Sequence, residues 1–188
     1  MIYLASLSPR RRELLKQIKI SYQPVAVHVD ETRLPQETPQ DYISRLALAK
    51  ARAGQLAVSG THPVLGADTV IVCDGQVFGK PADKNDAIQM LKKLSGCCHQ
   101  VMTGVALVTA TSERVCFSIS NVYFCRLSEA AIQAYIATGE PLDKAGSYAI
   151  QGLASIFIER IEGSYSGVMG LPLHETATLL ADVGINIL

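Results

Sequence analysis

An α/β fold with an extended mixed β-sheet flanked by helices is what this chain predicts, and three observations carry that expectation. Apolar strand-like runs alternate with capped helical stretches along the 188 residues, the rhythm of a sheet covered by helices. An Asp74-Gly75 pair between apolar runs marks a tight hairpin, which argues against a purely parallel, doubly wound sheet. Hydrophobic residues make up 48% of the chain and charged residues 18%, which supplies a real core and is too little charge for disorder. Residues 1–188 are expected to form a single domain with two lobes, without internal repeat or linker.

The elements follow in order. Residues 2–5 form a buried strand, and Ser8-Pro9 opens a helix over 9–19, with the Ser8 hydroxyl facing the free N–H groups and Leu14, Leu15 and Ile18 toward the core. Residues 21–27 make a second strand, at an edge or with a bulge because Pro24 cannot donate to a ladder. A polar loop, His28 to Glu37, precedes Thr38-Pro39, which starts a helix to about Val58. Residues 64–73 are an almost continuous apolar strand broken by Asp68 and Thr69, returning through Val77-Phe78 into Gly79-Lys80-Pro81. Asp83 caps a helix that ends near Ser95-Gly96. Strand-like segments at 99–110 and 114–126 come next, and Ser128 caps a helix closed by Gly139 and Pro141. A glycine-rich stretch, 144–152, leads to a strand at 154–160, a loop through 163–170 and a last helix from about 172 to 183.

Composition excludes several functions. Seventeen basic and seventeen acidic residues cancel, so the overall basic field of a general nucleic-acid binder is missing and no stable nucleic-acid binding is expected. No tryptophan and few aromatics accompany the basic cluster, which argues against a single-strand stacking platform. Only Met1 to Ala5 form an apolar run before the first arginines, and no stretch approaches transmembrane length; the expectation is a cytoplasmic protein without membrane partners. Five cysteines, odd in number and without Cys-x-x-Cys spacing, read as reduced thiols that are mostly small core residues. P-loop, dinucleotide-fingerprint and nucleophile-elbow motifs are absent, and the four histidines lack zinc-ligand spacing.

What remains is anion chemistry. Arg10, Arg11 and Arg12 stand in the first turn of a helix, where the dipole is already positive; a docked phosphate makes that arrangement favourable, whereas a solvated basic turn is the plainer alternative. Asp68 interrupts a strand of Val, Leu and Ile, so it is either paired in the interior or aimed into a pocket, and Gly66 and Thr69 beside it favour close ligand approach. Glu31 sits in the polar loop, and by itself is an ordinary solvated charge. Next to Asp68 it would complete a Mg²⁺ site with phosphate oxygens. Lys80 is held between Gly79 and Pro81, Lys50 lies on a helix, and Thr103, Lys144 and Gln151 are polar residues at strand or glycine-loop positions that could each be structural.

Taken in order, these segments resemble the Maf family of nucleoside triphosphate pyrophosphatases. The matching pieces are Ser6-Leu7-Ser8-Pro9-Arg10-Arg11, Glu31, Leu48-Ala49-Lys50-Ala51, Gly66-Ala67-Asp68-Thr69 and Gly79-Lys80-Pro81. They continue through Leu94-Ser95-Gly96, His99 to Thr103, Asp143-Lys144-Ala145-Gly146, Ile150-Gln151-Gly152 and Gly170-Leu171-Pro172. Each is weak alone, and the ordered set is specific.

The resemblance implies two lobes around a nucleotide cleft and cleavage between the α and β phosphates, giving monophosphate and pyrophosphate. It implies a divalent cation, Mg²⁺ or Mn²⁺, held at Glu31 and Asp68, and a homodimer. In the family the aspartate matching Asp68 accepts the proton of the attacking water, with Glu31, Lys50 and Lys80 in the same site. Ser8, Arg10, Arg11, Thr69, Thr103 and Gln151 then bind substrate. Arginine, threonine and glutamine at 10, 69 and 151 resemble the dTTP/UTP branch, in which a glutamine amide can donate and accept along a pyrimidine edge. Two departures stand out: Ala149 where the family commonly has glycine, which removes backbone freedom beside Gln151, and Arg12, read as surface charge. Cleavage at the terminal phosphate, or a nucleotide- or nucleic-acid-binding regulator linked to cell division without turnover, are the alternative functions.

Overall fold

The computed structural model describes residues 1–58 and 62–188. Among the described residues it contains a seven-stranded mixed sheet with helices, the predicted fold class. The strands are β1 (Ile2–Leu4), β2 (Tyr22–Pro24), β3 (Val64–Cys73), β4 (Gln76–Phe78), β5 (Cys98–Val108), β6 (Glu113–Phe124) and β7 (Ile158–Glu162). Their order is β2-β1-β3-β5-β6-β7, with β4 paired to β3. β1 runs parallel to β2 and β3, whereas β3–β4 and β6–β7 are antiparallel. The helices are α1 (Pro9–Gln17), α2 (Pro39–Ala57), α3 (Lys84–Leu94), α4 (Glu129–Ala137), α5 (Tyr165–Met169) and α6 (Leu173–Ala181).

The chain divides into two compact units. The first holds Met1–Asp68, Thr103–Ser118 and Gly170–Leu188; the second holds Thr69–Met102 and Ile119–Met169. In the first, β2 is an edge strand, where the missing Pro24 donor costs nothing. Ile2, Leu4, Leu14, Leu15, Ile43, Leu46 and Leu65 are buried in its core. Helix α2 lies directly on strand backbone: a Cβ on Gly66 would stand 2.6 Å from the Ala51 nitrogen, and one on Gly104 2.6 Å from the Ile43 carbonyl. Gly66 therefore makes room for a helix, not for a ligand as the sequence had implied, and Ala47 and Ala51 complete the flush contact.

The second unit is organised by an aromatic cluster in which His99, Phe124 and Tyr148 meet edge to face, and Phe124, Tyr135 and Phe157 extend it. His99 is 1% exposed, its Nε2 lies 2.8 Å from the Tyr148 hydroxyl, and burial pushes its pKa down to about 4. Asp74 and Gly75 both take positive φ (48° and 75°), as the β3–β4 hairpin turn requires.

Several boundaries differ from the expectation. Residues 153–157 coil into a 3₁₀ turn before β7 begins at Ile158, because the N–H groups of Leu153 and Ala154 are taken by the Glu140 carboxylate and cannot join a ladder. The expected loop at 163–170 contains α5, started by Ser164, whose Oγ accepts the Gly167 N–H at 3.0 Å. Ala149 is not among the described residues at positive φ, so alanine there carries no strain; Ser147, at φ 62°, holds the unusual backbone of that stretch. The cysteines are free, but Cys73 alone is buried and Cys98 is exposed, so most are not core residues.

Candidate active site

Two packed elements and one loop bring three charges together in the first unit. The flush seat of α2 on β3 sets Lys50 beside Asp68, and the Lys50 ammonium lies 2.6 Å from an oxygen of Asp68 and 2.6 Å from one of Glu31. The Lys50 and Asp68 side chains are only 14% and 13% exposed, whereas that of Glu31 is 58% exposed, so the group is walled on one side and open on the other. Asp68 is thus both paired and at an accessible edge. Two carboxylates of hard oxygen donors converge on one cation-holding point, which fits a small divalent ion that takes its remaining ligands from water and phosphate. Among the described residues no cluster of three or more His, Cys, Asp or Glu side chains is placed to hold a metal ion.

The loop that carries Glu31 is strapped to α2. Tyr42 donates its O–H to the Glu31 carbonyl at 2.7 Å, and Arg45 donates to the Thr32 carbonyl at 3.1 Å. Arg45 also grips both Glu37 carboxylate oxygens, at 2.6 and 2.9 Å, which holds the Glu37 pKa down at about 2. Burial, with the nearby Asp68 and Glu31 charges, raises the Tyr42 phenol above its ordinary value, which keeps it a donor. Sequence reasoning missed Tyr42 and Arg45; their spacing of three residues, on the same helix as Lys50 and ahead of it, was the available signal.

The arginine turn resolves into three different roles. Arg11 is tied down: its Nε donates to the Gly170 carbonyl at 2.7 Å and its Nη1 to the Ser6 hydroxyl at 3.2 Å. Burial lowers its pKa, the Asp68 charge opposes that, and Arg10 adds to the lowering, so a fixed guanidinium sits within the field of Asp68. Arg10 is partly exposed. Arg12 is not the solvated charge expected; its Nη2 binds the Leu7 carbonyl at 2.9 Å while its Nε is buried, so it braces the turn that enters α1. Ser8 occupies the N-cap position but its side chain makes no capping bond, unlike Thr38, Asp83 and Ser128, which all cap. Instead the Ser6 hydroxyl accepts the Ser8 N–H at 3.2 Å, and the amino-terminal donors of α1 keep the local positive field expected of an uncapped helix end.

The remaining candidates are placed as follows. Thr103 is fully buried on β5, and Thr69 follows Asp68 on β3 as the first residue of the second unit. In that unit Lys80 is exposed on a loop whose Gly79 carbonyl accepts the Gly146 N–H at 2.9 Å, stitching it to the stretch that leads to Gln151. Gln151 is exposed in a turn closed by a bond from the Gly152 N–H to the Ala149 carbonyl. Lys144 turns away to the Glu140 carbonyl and the Asp143 carboxylate, a structural contact.

A fixed arginine, an uncapped helix start and a carboxylate–ammonium–carboxylate group on a mixed α/β frame suit a phosphate-handling protein. Residues 1–183 match the family model for Maf-like proteins, and the chain belongs to that family. A relative from Chromobacterium violaceum is 50% identical over 99% of this chain and 96% of its own. One from Escherichia coli K12 is 49% identical over 96% and 92%, and one from Xanthomonas oryzae pv. oryzae 51% identical over 99% and 100%. Each of the three is named dTTP/UTP pyrophosphatase. Among solved structures, the Staphylococcus aureus Ham1 protein aligns over 83% of this chain and 90% of its own, at 13% identity and a TM-score of 0.49.

Proposed function

We propose that this protein hydrolyses dTTP and UTP, together with modified pyrimidine nucleoside triphosphates, to the monophosphate and pyrophosphate. The names of its half-identical relatives support the substrate class. The observation that carries the chemistry is Lys50 between Asp68 and Glu31 at 2.6 Å from each, next to the fixed Arg11.

In this proposal Asp68 orients a water and accepts its proton, and the Lys50 ammonium 2.6 Å away holds the carboxylate in place for that task. Glu31 and Asp68 are the residues that would hold Mg²⁺ or Mn²⁺, which when bound offsets charge on the phosphate oxygens. Arg10, Arg11 and the amino-terminal donors of α1, Ser8 among them, bind phosphate. Lys50 and Lys80 neutralise charge that grows on the leaving pyrophosphate. Thr69, Thr103 and Gln151 are the further residues that bind substrate, Gln151 at the pyrimidine edge. The protein is proposed to work in the cytoplasm as a homodimer; no helix among the described residues is long and apolar enough to cross a membrane.

The test is turnover of a panel of pyrimidine and purine triphosphates with Mg²⁺, by wild type and Asp68→Asn. Hydrolysis of dTTP and UTP ahead of purines, lost in Asp68→Asn, supports the proposal. Binding without turnover by the wild type, or equal turnover by both proteins, would overturn it.

A further inference from the structure

The turn that presents Gln151 is fastened at both ends by one carboxylate from outside it. Glu140, on the 3₁₀ turn after α4, accepts the Leu153 N–H on Oε2 at 3.1 Å and the Ala154 N–H on Oε1 at 3.5 Å. The same Oε1 accepts the Tyr135 O–H at 2.7 Å, and the Tyr135 oxygen in turn accepts the Ala149 N–H at 3.2 Å. Ala149 and Leu153 bracket Gln151, so the carboxylate reaches the entry of the turn through a buried phenol and its exit directly. The fit has no slack: a Cβ on Gly152 would stand 2.5 Å from Glu140 Oε1, so only glycine lets the carboxylate lie against the turn. Lys144 secures the other side by donating to the Glu140 carbonyl at 2.8 Å.

We propose that Glu140 is a positioning residue for base selection, acting through Tyr135 and the Leu153 N–H to set the angle at which the Gln151 amide meets the base. This rests on the assignment of Gln151 to the base. The role needs a carboxylate, because the group accepts from every partner and donates to none; a glutamine of the same shape turns one acceptor into a donor facing an N–H or O–H. A residue needed only for stability would lower the amount of folded enzyme and leave the preference between bases alone.

The experiment measures kcat and KM for UTP and GTP, with Mg²⁺, for wild type, Glu140→Gln, Tyr135→Phe, Gln151→Ala and the Glu140→Gln/Gln151→Ala double variant, each checked for folding by thermal melt. The expected result for Glu140→Gln is a rise in KM for UTP with kcat nearly unchanged, and a UTP-to-GTP preference lower by about tenfold, the effect of one mispaired hydrogen bond. Tyr135→Phe shifts the preference in the same direction, and carries the test if Glu140→Gln does not fold. The double variant shows the preference of Gln151→Ala alone, because both act through one contact. An unchanged preference in Glu140→Gln or, failing its folding, in Tyr135→Phe, while Gln151→Ala loses it, overturns the role of Glu140 alone. So does a double variant whose loss multiplies the two single losses. An unchanged preference in Gln151→Ala overturns the assignment of Gln151 to the base, and the role of Glu140 falls with it.

Discussion

Replacing Gly66 with alanine puts one methyl group between α2 and β3, at the contact that sets Lys50 against Asp68. The added Cβ would meet the Ala51 nitrogen at 2.6 Å and the Ala47 carbonyl closer still, while ordinary contact begins at 3.4 Å. Backbone on both sides cannot rotate away as a side chain would, so moving from 2.6 to 3.4 Å means that the helix retreats by about 0.8 Å or more. Overpacking of this kind costs about 1–3 kcal/mol, which for a chain of this size lowers the melting temperature by roughly 2–12 °C. The same retreat stretches the Lys50–Asp68 bond from 2.6 Å past hydrogen-bond length. A misplacement of that size costs about 100-fold in kcat. Thermal melts and UTP turnover of the folded fraction are the assays. Gly79→Ala is the stability control, because a Cβ there meets nothing within 4 Å. A Gly66→Ala protein that melts with the wild type and turns over UTP at the same rate would refute the idea that this close seat holds the catalytic pair.

Three further outcomes follow from the same geometry. Lys50→Met leaves the Asp68 and Glu31 carboxylates facing each other without their shared cation, so it is expected to lose about 1–3 kcal/mol of stability and at least about 100-fold in kcat, read by melting and turnover. Arg11→Lys keeps the charge but loses the fork that binds the Gly170 carbonyl and Ser6 together; a several-fold rise in KM with preserved folding is expected from steady-state kinetics, and unchanged KM counts against phosphate binding there. Stability falls on acidification. His99 is held neutral with a pKa near 4 against an ordinary 6.5, so the unfolded chain takes up its proton first and the stability present above pH 6.5 is lost as pH falls toward 4, about 3 kcal/mol in all. Glu37, near 2 against an ordinary 4.5, adds a second loss between pH 4.5 and 2. Melting curves across pH should flatten between 6.5 and 4.5 in His99→Gln and below 4.5 in Arg45→Met; a wild type whose melting temperature rises on acidification contradicts both signs.

Local chemistry made most of the fold legible. Thr38, Asp83 and Ser128 each accept a backbone N–H three residues on, so helix starts read from a cap and its following pattern fell where expected. β3 matched its apolar run from Val64 to Cys73, and Asp74-Gly75 made its hairpin. Misread segments were those whose backbone bonds go to distant side chains. Glu140 takes the N–H groups of Leu153 and Ala154 from across a loop, and no local pattern at 153–157 announces it. The arginine turn failed for a related reason: adjacent residues of one type end in unlike surroundings, Arg11 on Gly170, far along the chain, and Arg12 on the nearby Leu7. Asp68 stood out because a carboxylate in an apolar strand demands a partner. That the partner is Lys50, and that Glu31 joins it, depends on Gly66 and Gly104 letting α2 lie flush on the sheet, a relation no single segment contains.

The most direct measurement is the identity of the products when purified protein meets UTP and Mg²⁺, resolved by phosphorus NMR or ion-exchange chromatography. Equal amounts of UMP and pyrophosphate, formed by the wild type and absent with Asp68→Asn, are the expected result. UDP with orthophosphate, or UMP and pyrophosphate at an undiminished rate from Asp68→Asn, would contradict an α–β cleavage driven by Asp68.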